Sequence, residues 1–211
     1  MPLPFERVYW LSGSPCAGKS TIAAELARKL GWQLYRCDDW FDAHGQRAGI
    51  DTHPTLYRLW RLQGDALWLR PVAEQIQTER AFCVDEFGLV LEDMAQMAAK
   101  DARPILFEGT CALPQCVAPF LPSVHHAMWF IPTEAFQRHH YAQRPWIHGV
   151  LAKTSDATLA FENWMQRDAG FARELEHQVQ RLALRWLSVD GSLSLDETLA
   201  LVEAHFTQSM A

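Results

Sequence analysis

Gly13-Ser14-Pro15-Cys16-Ala17-Gly18-Lys19-Ser20 fits G-x-x-x-x-G-K-[ST], a pattern that prescribes chemistry as well as shape. Average residue usage gives a chain of this length under about a 1 in 100 chance of meeting it by accident. The flanks lower that chance further. Before the loop, Val8-Tyr9-Trp10-Leu11 is a short apolar, β-branched and aromatic run of the kind that forms a buried parallel strand. After it, Thr21 to Leu30 reads as a helix. Ile22, Leu26 and Leu30 recur every four residues, Ala23 and Ala27 widen the stripe, and Gly31 suits a left-handed stop.

In that setting, backbone N–H groups of the loop and the positive end of the helix hold phosphate oxygens with few side chains. Gly13 and Gly18 let the backbone turn and approach closely. Contacts to a nucleoside triphosphate are expected from Gly13, Ser14, Pro15, Cys16, Ala17, Gly18, Lys19, Ser20 and Thr21. Lys19 suits the β- and γ-phosphates, and the Ser20 hydroxyl suits Mg2+. The helix terminus is also expected to make the Cys16 thiol more acidic and reactive, with ATP protecting it.

With 211 residues, 49% apolar and 21% charged, the chain can bury a substantial core and reads as one α/β domain with insertions. A net charge of −6 argues against a general nucleic-acid or anionic-membrane partner. No apolar run approaches the ~20 residues that span a bilayer, and the first residues lack a basic segment followed by a long apolar one. A soluble, cytoplasmic protein is therefore expected. Five cysteines without a C-x-x-C pair read as reduced, mostly buried thiols. Neither His125-His126 nor His139-His140 has the i, i+4 partner of a zinc enzyme, and the cysteines lack zinc-ligand spacing, so a structural zinc site is not expected.

Further strands are expected at Gln33–Cys37, Pro104–Phe107, His126–Ile131 and Arg185–Val189. Ala43 to Gly49 reads as a loop, Thr55 to Arg70 as helical, and Pro71 to Lys100 as helical with a break near Phe87-Gly88. Thr133 to Gln143 and Leu159 to Leu184 read as helices, Arg144 to Asp156 as an irregular basic stretch, and Ser194 as the start of a final helix. Strands alternating with helices specify a parallel sheet covered on both faces. The expectation is α/β: a three-layer P-loop fold with a five-stranded parallel sheet. A long helical tract precedes the third strand, and a second insertion follows the fourth.

That loop and those two insertions resemble the P-loop small-molecule kinase group, which includes nucleoside monophosphate kinases, shikimate and gluconate kinases and antibiotic phosphotransferases, among ATP-binding proteins of AAA type. The resemblance implies a single domain over 1–211, with residues 41–100 as a helical acceptor-binding insertion and 133–168 as a lid. It implies ATP and Mg2+ as cofactors and a small-molecule acceptor, with neither nucleic acid nor membrane as partner. Asp38 matches the acidic residue after strand two that acts as general base or holds Mg2+ through water; Asp39 is the second candidate of the pair, on the acceptor side with Asp38, Arg58 and Glu108. Glu108 matches the acidic end of strand three, where its longer side chain suits the acceptor. Arg138, Arg144 and Arg167 match lid arginines that neutralise transition-state charge. Asp190-Gly191-Ser192 resembles the loop that touches the nucleotide base. Trp40, Phe41, His44, Arg47, Tyr57, Arg58 and Arg61 are candidates to line the acceptor pocket.

The chain has no compact adenylate-kinase lid signature and no Asp-Gly-Phe-Pro-Arg-like run after strand three, which argues against a nucleoside monophosphate acceptor. The expected function is ATP-dependent transfer of the γ-phosphoryl group to a small-molecule hydroxyl or phosphate. The alternative is a nucleotide-dependent switch or sensor, an ATPase or GTPase read by a protein partner, although no N-K-x-D guanine-specificity run is present.

Overall fold

The computed structural model describes residues 5–208. Its sheet has five parallel strands, β1 (Val8–Gly13), β2 (Gln33–Arg36), β3 (Ile105–Glu108), β4 (Ala127–Pro132) and β5 (Trp186–Val189), in the order β2-β3-β1-β4-β5. Among the described residues, α1 (Lys19–Leu30) follows the phosphate loop. Between β2 and β3 lie α2 (Phe41–Arg47), α3 (Pro54–Leu59), α4 (Asp65–Trp68) and the long α5 (Val72–Lys100). The short α6 (Pro114–Val117) precedes β4, and α7 (Glu134–Ala142), α8 (Pro145–Leu151) and α9 (Ala157–Arg181) separate β4 from β5. The last helix is α10 (Leu195–Thr207).

Strand alternation divides the core in two. Val8, Trp10, Ile105, Phe107 and Trp129 face α5 and α9, whereas Tyr9, Leu11, Leu106, Met128 and Phe130 face α1 and α10. This is the expected three-layer arrangement. Trp10 and Trp129 are fully buried, and burial of a large apolar side chain contributes roughly 1.5–3 kcal/mol. The Trp129 indole donates to the Ala112 carbonyl at 2.9 Å, so its N–H costs nothing by being inside. At the end of the chain, Ser194 and Glu197 form a reciprocal capping box that starts α10, as its sequence suggests.

The register sets the functional edge. Leu11 and Arg36 both pair with Glu108, and Gly13 pairs with Phe130. The phosphate loop, the residues after β2 and the end of β3 therefore emerge side by side at the carboxyl edge, where open α/β sheets bind ligands.

Four local expectations are corrected. Ala43 to Gly49 is mostly helix, because Gly45 is a packing residue: a side chain there would run into the Trp60 ring. Helix α5 continues through Phe87-Gly88 without a break. A mid-helix glycine costs only about 1 kcal/mol, and here Phe87 and Val90 are buried on the sheet. Arg144 to Asp156 contains α8, opened by Pro145 at its first position. Thr55 to Arg70 is two short helices rather than one tract.

Candidate active site

The loop after β1 is shaped by close packing. Gly13 has φ +130°, and a Cβ there would strike the Phe130 backbone. Ser14 N–H donates to the Phe130 carbonyl at 3.0 Å. Gly18, at φ +80°, turns the chain into α1. Helix α1 starts at Lys19, two residues earlier than its apolar stripe suggests, because the loop itself supplies the first turn's geometry.

Lys19 is buried, and its ammonium donates to the Ser14 carbonyl at 2.8 Å. Burial lowers its pKa, with Glu108 and Asp38 opposing that effect. The Ser20 hydroxyl donates to Glu108 Oε1 at 3.2 Å. Burial raises the Glu108 carboxyl, and Lys19 partly offsets it. A hydroxyl and a carboxylate oxygen this close form a hard-oxygen donor set suited to Mg2+. The residues present thus fit a magnesium-bound nucleoside triphosphate, and Ser20 and Glu108 are the side chains that could hold the cation.

One cavity of about 650 Å³ joins this loop to the helices above the sheet. It is lined by Pro15 to Thr21 of the loop and by Asp38, Phe41, Glu79, Phe82, Glu86, Tyr141, Arg144, Trp146, Trp164 and Arg167. Beside the loop is a second, smaller cavity of about 220 Å³, lined by Ala17, Gly18, Thr21, Phe136 and the Asp190-Gly191 turn. Its walls are largely apolar.

The three arginines singled out from the sequence separate. Arg138 stands outside the cavity, gripped by both oxygens of Glu162 at 2.7 and 3.0 Å. Arg167 reaches the cavity but is committed to Asp168 at 2.6 Å and Glu79 at 3.3 Å. Arg144 lies over the Tyr141 and Trp146 rings at 5.3 and 5.9 Å and has no carboxylate partner among the described residues. It is the cation with capacity to spare.

The acceptor-side expectations fare less well. Of Trp40, Phe41, His44, Arg47, Tyr57, Arg58 and Arg61, only Phe41 lines the cavity. Asp39 is exposed and 3.8 Å from Arg36, and Arg58 is exposed on α3. Arg61 stacks on Tyr57 at 3.6 Å. His44 is fully buried, because α2 turns it inward onto α5. Its Nδ1 meets Glu86 at 3.0 Å, and its Nε2 meets Asp93 at 2.9 Å and the Tyr35 hydroxyl at 3.1 Å. Burial alone would lower the His44 pKa, but contacts with Cys37, Glu86 and Asp93 prevail and raise it to about 10. Arg47 closes the network on Asp93 at 2.7 Å.

Cys16 is also corrected. It sits at φ 63°, half-buried, and burial raises its pKa more than Arg144 and Lys19 lower it. The cysteines are free thiols, as expected, with Cys37 and Cys111 sulfurs 3.4 Å apart.

Several residues of the site were missed, of which Glu79 and Glu86 line the cavity and Asp93 and Gln137 stand behind its wall. Glu79, Glu86 and Asp93 fall seven residues apart on α5, which puts one carboxylate on the same face every two turns; that spacing was a readable signal. Gln137 was not readable. It is buried on α7, and its amide donates to the Pro15 carbonyl at 2.9 Å and the Ser14 hydroxyl at 3.4 Å.

No protein-family profile and no curated sequence matches the chain. Among solved structures it is similar to shikimate kinase from Bacteroides thetaiotaomicron, with a TM-score of 0.50 and 15% identity over 97% of this chain and 98% of that one. It is also similar to shikimate kinase from Acinetobacter baumannii in complex with shikimate, with a TM-score of 0.46 and 13% identity over 99% and 96% of the two chains. Gluconokinase from Sinorhizobium meliloti gives a TM-score of 0.44 and 13% identity over 99% and 95%. No helix among the described residues is long and apolar enough to cross a membrane. The strand order, the loop after β1 and the likeness at a TM-score of 0.50 give this chain the fold of the P-loop small-molecule kinases.

Proposed function

We propose that the chain is an ATP-dependent phosphotransferase that moves the γ-phosphoryl group to a hydroxyl of a small molecule. One observation carries this reading: a single cavity of about 650 Å³ is lined at one end by the phosphate loop and at the other by Asp38 and aromatic side chains. Its volume is in the range of small-molecule sites. A protein that only switches needs no second compartment continuous with its γ-phosphate, so the cavity favours the transferase over a partner-read switch.

In this reading residues 13–21 bind the triphosphate through backbone N–H groups, and Lys19 neutralises charge between its β- and γ-phosphates. Ser20 and Glu108 hold Mg2+, which when bound offsets charge on the phosphate oxygens. Asp38 orients the acceptor hydroxyl and takes its proton; phosphoryl transfer otherwise relies on positioning and charge stabilisation. Arg144 neutralises charge on the moving group, and Arg167 braces the cavity wall through Glu79 and Asp168. The smaller apolar cavity beside Gly191 receives the base. Residues 41–100 supply the acceptor wall and 133–168 the lid. Free thiols throughout suit a reducing, cytoplasmic setting.

The test is a panel of hydroxylated metabolites and antibiotics incubated with γ-labelled ATP and Mg2+. The label should pass to at least one member, and Lys19→Ala should reduce that transfer by about 10²–10³-fold. Unlabelled acceptors throughout, or full transfer by Lys19→Ala, would overturn the proposal.

A further inference from the structure

Beneath the acceptor end lies a cluster that the proposed transfer does not use. Cys37 directly follows β2, His44 projects from α2 and Glu86 from α5. All three are buried, and one donor atom of each lies within 4.8 Å of the other two. Sulfur, imidazole nitrogen and carboxylate oxygen are the three protein donors that zinc takes.

We propose that Cys37, His44 and Glu86 form a binding site for a zinc-class divalent cation, with its fourth position open to the cavity.

The second layer of contacts supports this assignment. A metal-binding histidine characteristically donates its other ring N–H to a carboxylate, which fixes its orientation. Here Nε2 is held by Asp93 at 2.9 Å, which leaves Nδ1, 3.0 Å from Glu86, as the donor. Asp93 is itself fixed by the Tyr35 hydroxyl at 2.8 Å and by Arg47 at 2.7 Å. The ring is thus aimed before any cation arrives.

Distance and charge agree with this. Zinc bond lengths of about 2.0–2.3 Å put tetrahedral donors roughly 3.3–3.6 Å apart. The cluster needs only a modest contraction, which side-chain rotation supplies. Asp93 is balanced by Arg47. A divalent cation bound there would displace the protons of Nδ1 and of the Cys37 thiol, and its charge would balance the Glu86 carboxylate and the thiolate it binds. Both of these residues line the cavity, so three protein ligands leave the vacant corner facing a bound small molecule. Three ligands and an open corner are the pattern of catalytic rather than structural zinc. The cation would also anchor Cys37, which immediately precedes Asp38.

The site stands on geometry alone, and its test needs no turnover, so its failure and the failure of the phosphotransferase reading are separable. The full chain, free of nucleotide, is dialysed against zinc and its metal content measured; the same is done with cobalt(II). The expected result is one equivalent of zinc and a thiolate-to-cobalt charge-transfer band in the near ultraviolet. Cys37→Ser should lose the band and the zinc, and Cys116→Ala should keep both. Asp93→Asn should keep the band while binding zinc about 10–100-fold more weakly. If Cys37→Ser fails to fold by circular dichroism, Glu86→Gln replaces it and must lose zinc. Substoichiometric zinc in the unsubstituted chain, or a band that survives in folded Cys37→Ser, would overturn the site.

Discussion

At the donor end of the cavity the working groups are contiguous in the chain, residues 13–21, and largely backbone. At the acceptor end they are side chains from the turn after β2 and from α5, α8 and α9, up to about 130 residues apart in sequence. The donor end is fixed by a positive φ at Gly13 and Gly18, a helix that begins at Lys19 and close packing on the Phe130 backbone. The acceptor end is fixed by tertiary pairing, in which Arg167 is held by Glu79 and Asp168, and His44 by Glu86 and Asp93. In the proposed reading the first construction serves the nucleoside triphosphate and the second the acceptor.

The sharpest way to break this comparison is at Asp38, where the two ends meet. Asp38→Asn should lower transfer by about 10²-fold or more, the scale of a lost general base, and leave nucleotide affinity intact. Asp39→Asn, at a neighbour that does not line the cavity, should change neither. Calorimetric binding of Mg-ATP beside steady-state transfer separates the outcomes, and equal losses in both variants would move the base elsewhere.

A somewhat smaller contrast is expected between the arginines. Arg144→Ala removes an uncommitted cation and should cost up to about 10²-fold in kcat. Arg138→Ala only frees Glu162 at a solvent-accessible pair, worth under about 1 kcal/mol, and kcat should stay within a few-fold of the unsubstituted value. A loss at Arg138 matching that at Arg144 would mean that the segment closes further than the structure shows.

The smallest effect lies away from the cavity, at the opposite edge of the sheet. Burial holds His126 and His205 below the usual imidazole value of about 6.5. The unfolded chain then takes up protons first as pH falls, so their contribution to stability is complete above about pH 6.5 and is lost as pH falls through the lower folded values. Thermal midpoints should drop between about pH 6 and 5, below the range in which His44, raised to about 10, gains stability as pH falls, and the double variant His126→Gln, His205→Gln should flatten part of that slope. An unchanged slope would place the acid sensitivity elsewhere.

The donor end was legible in the sequence because a glycine-lysine-serine run dictates its own backbone geometry. The strands were legible for a similar reason: Val8 to Leu11 and Ala127 to Ile131 are buried throughout and read as continuous apolar runs. The acceptor end was not, because its residues satisfy one another. His44 and Arg47 looked like pocket residues by position and type, yet α2 turns them into α5 instead of the cavity. Gly45 and Gly88 looked like loop and break signals, but one makes room for the Trp60 ring and the other has open space beside it in a helix anchored by Phe87 and Val90. Glycine marks conformational freedom and close approach with the same letter, and only the neighbours distinguish them.

Gln137 spends its amide on the phosphate loop, on the Pro15 carbonyl and the Ser14 hydroxyl. It belongs to α7, the root of the whole segment that carries Arg144 and Arg167. The loop and the segment above the cavity are therefore tied together at one side chain, so that the position of either constrains the position of the other.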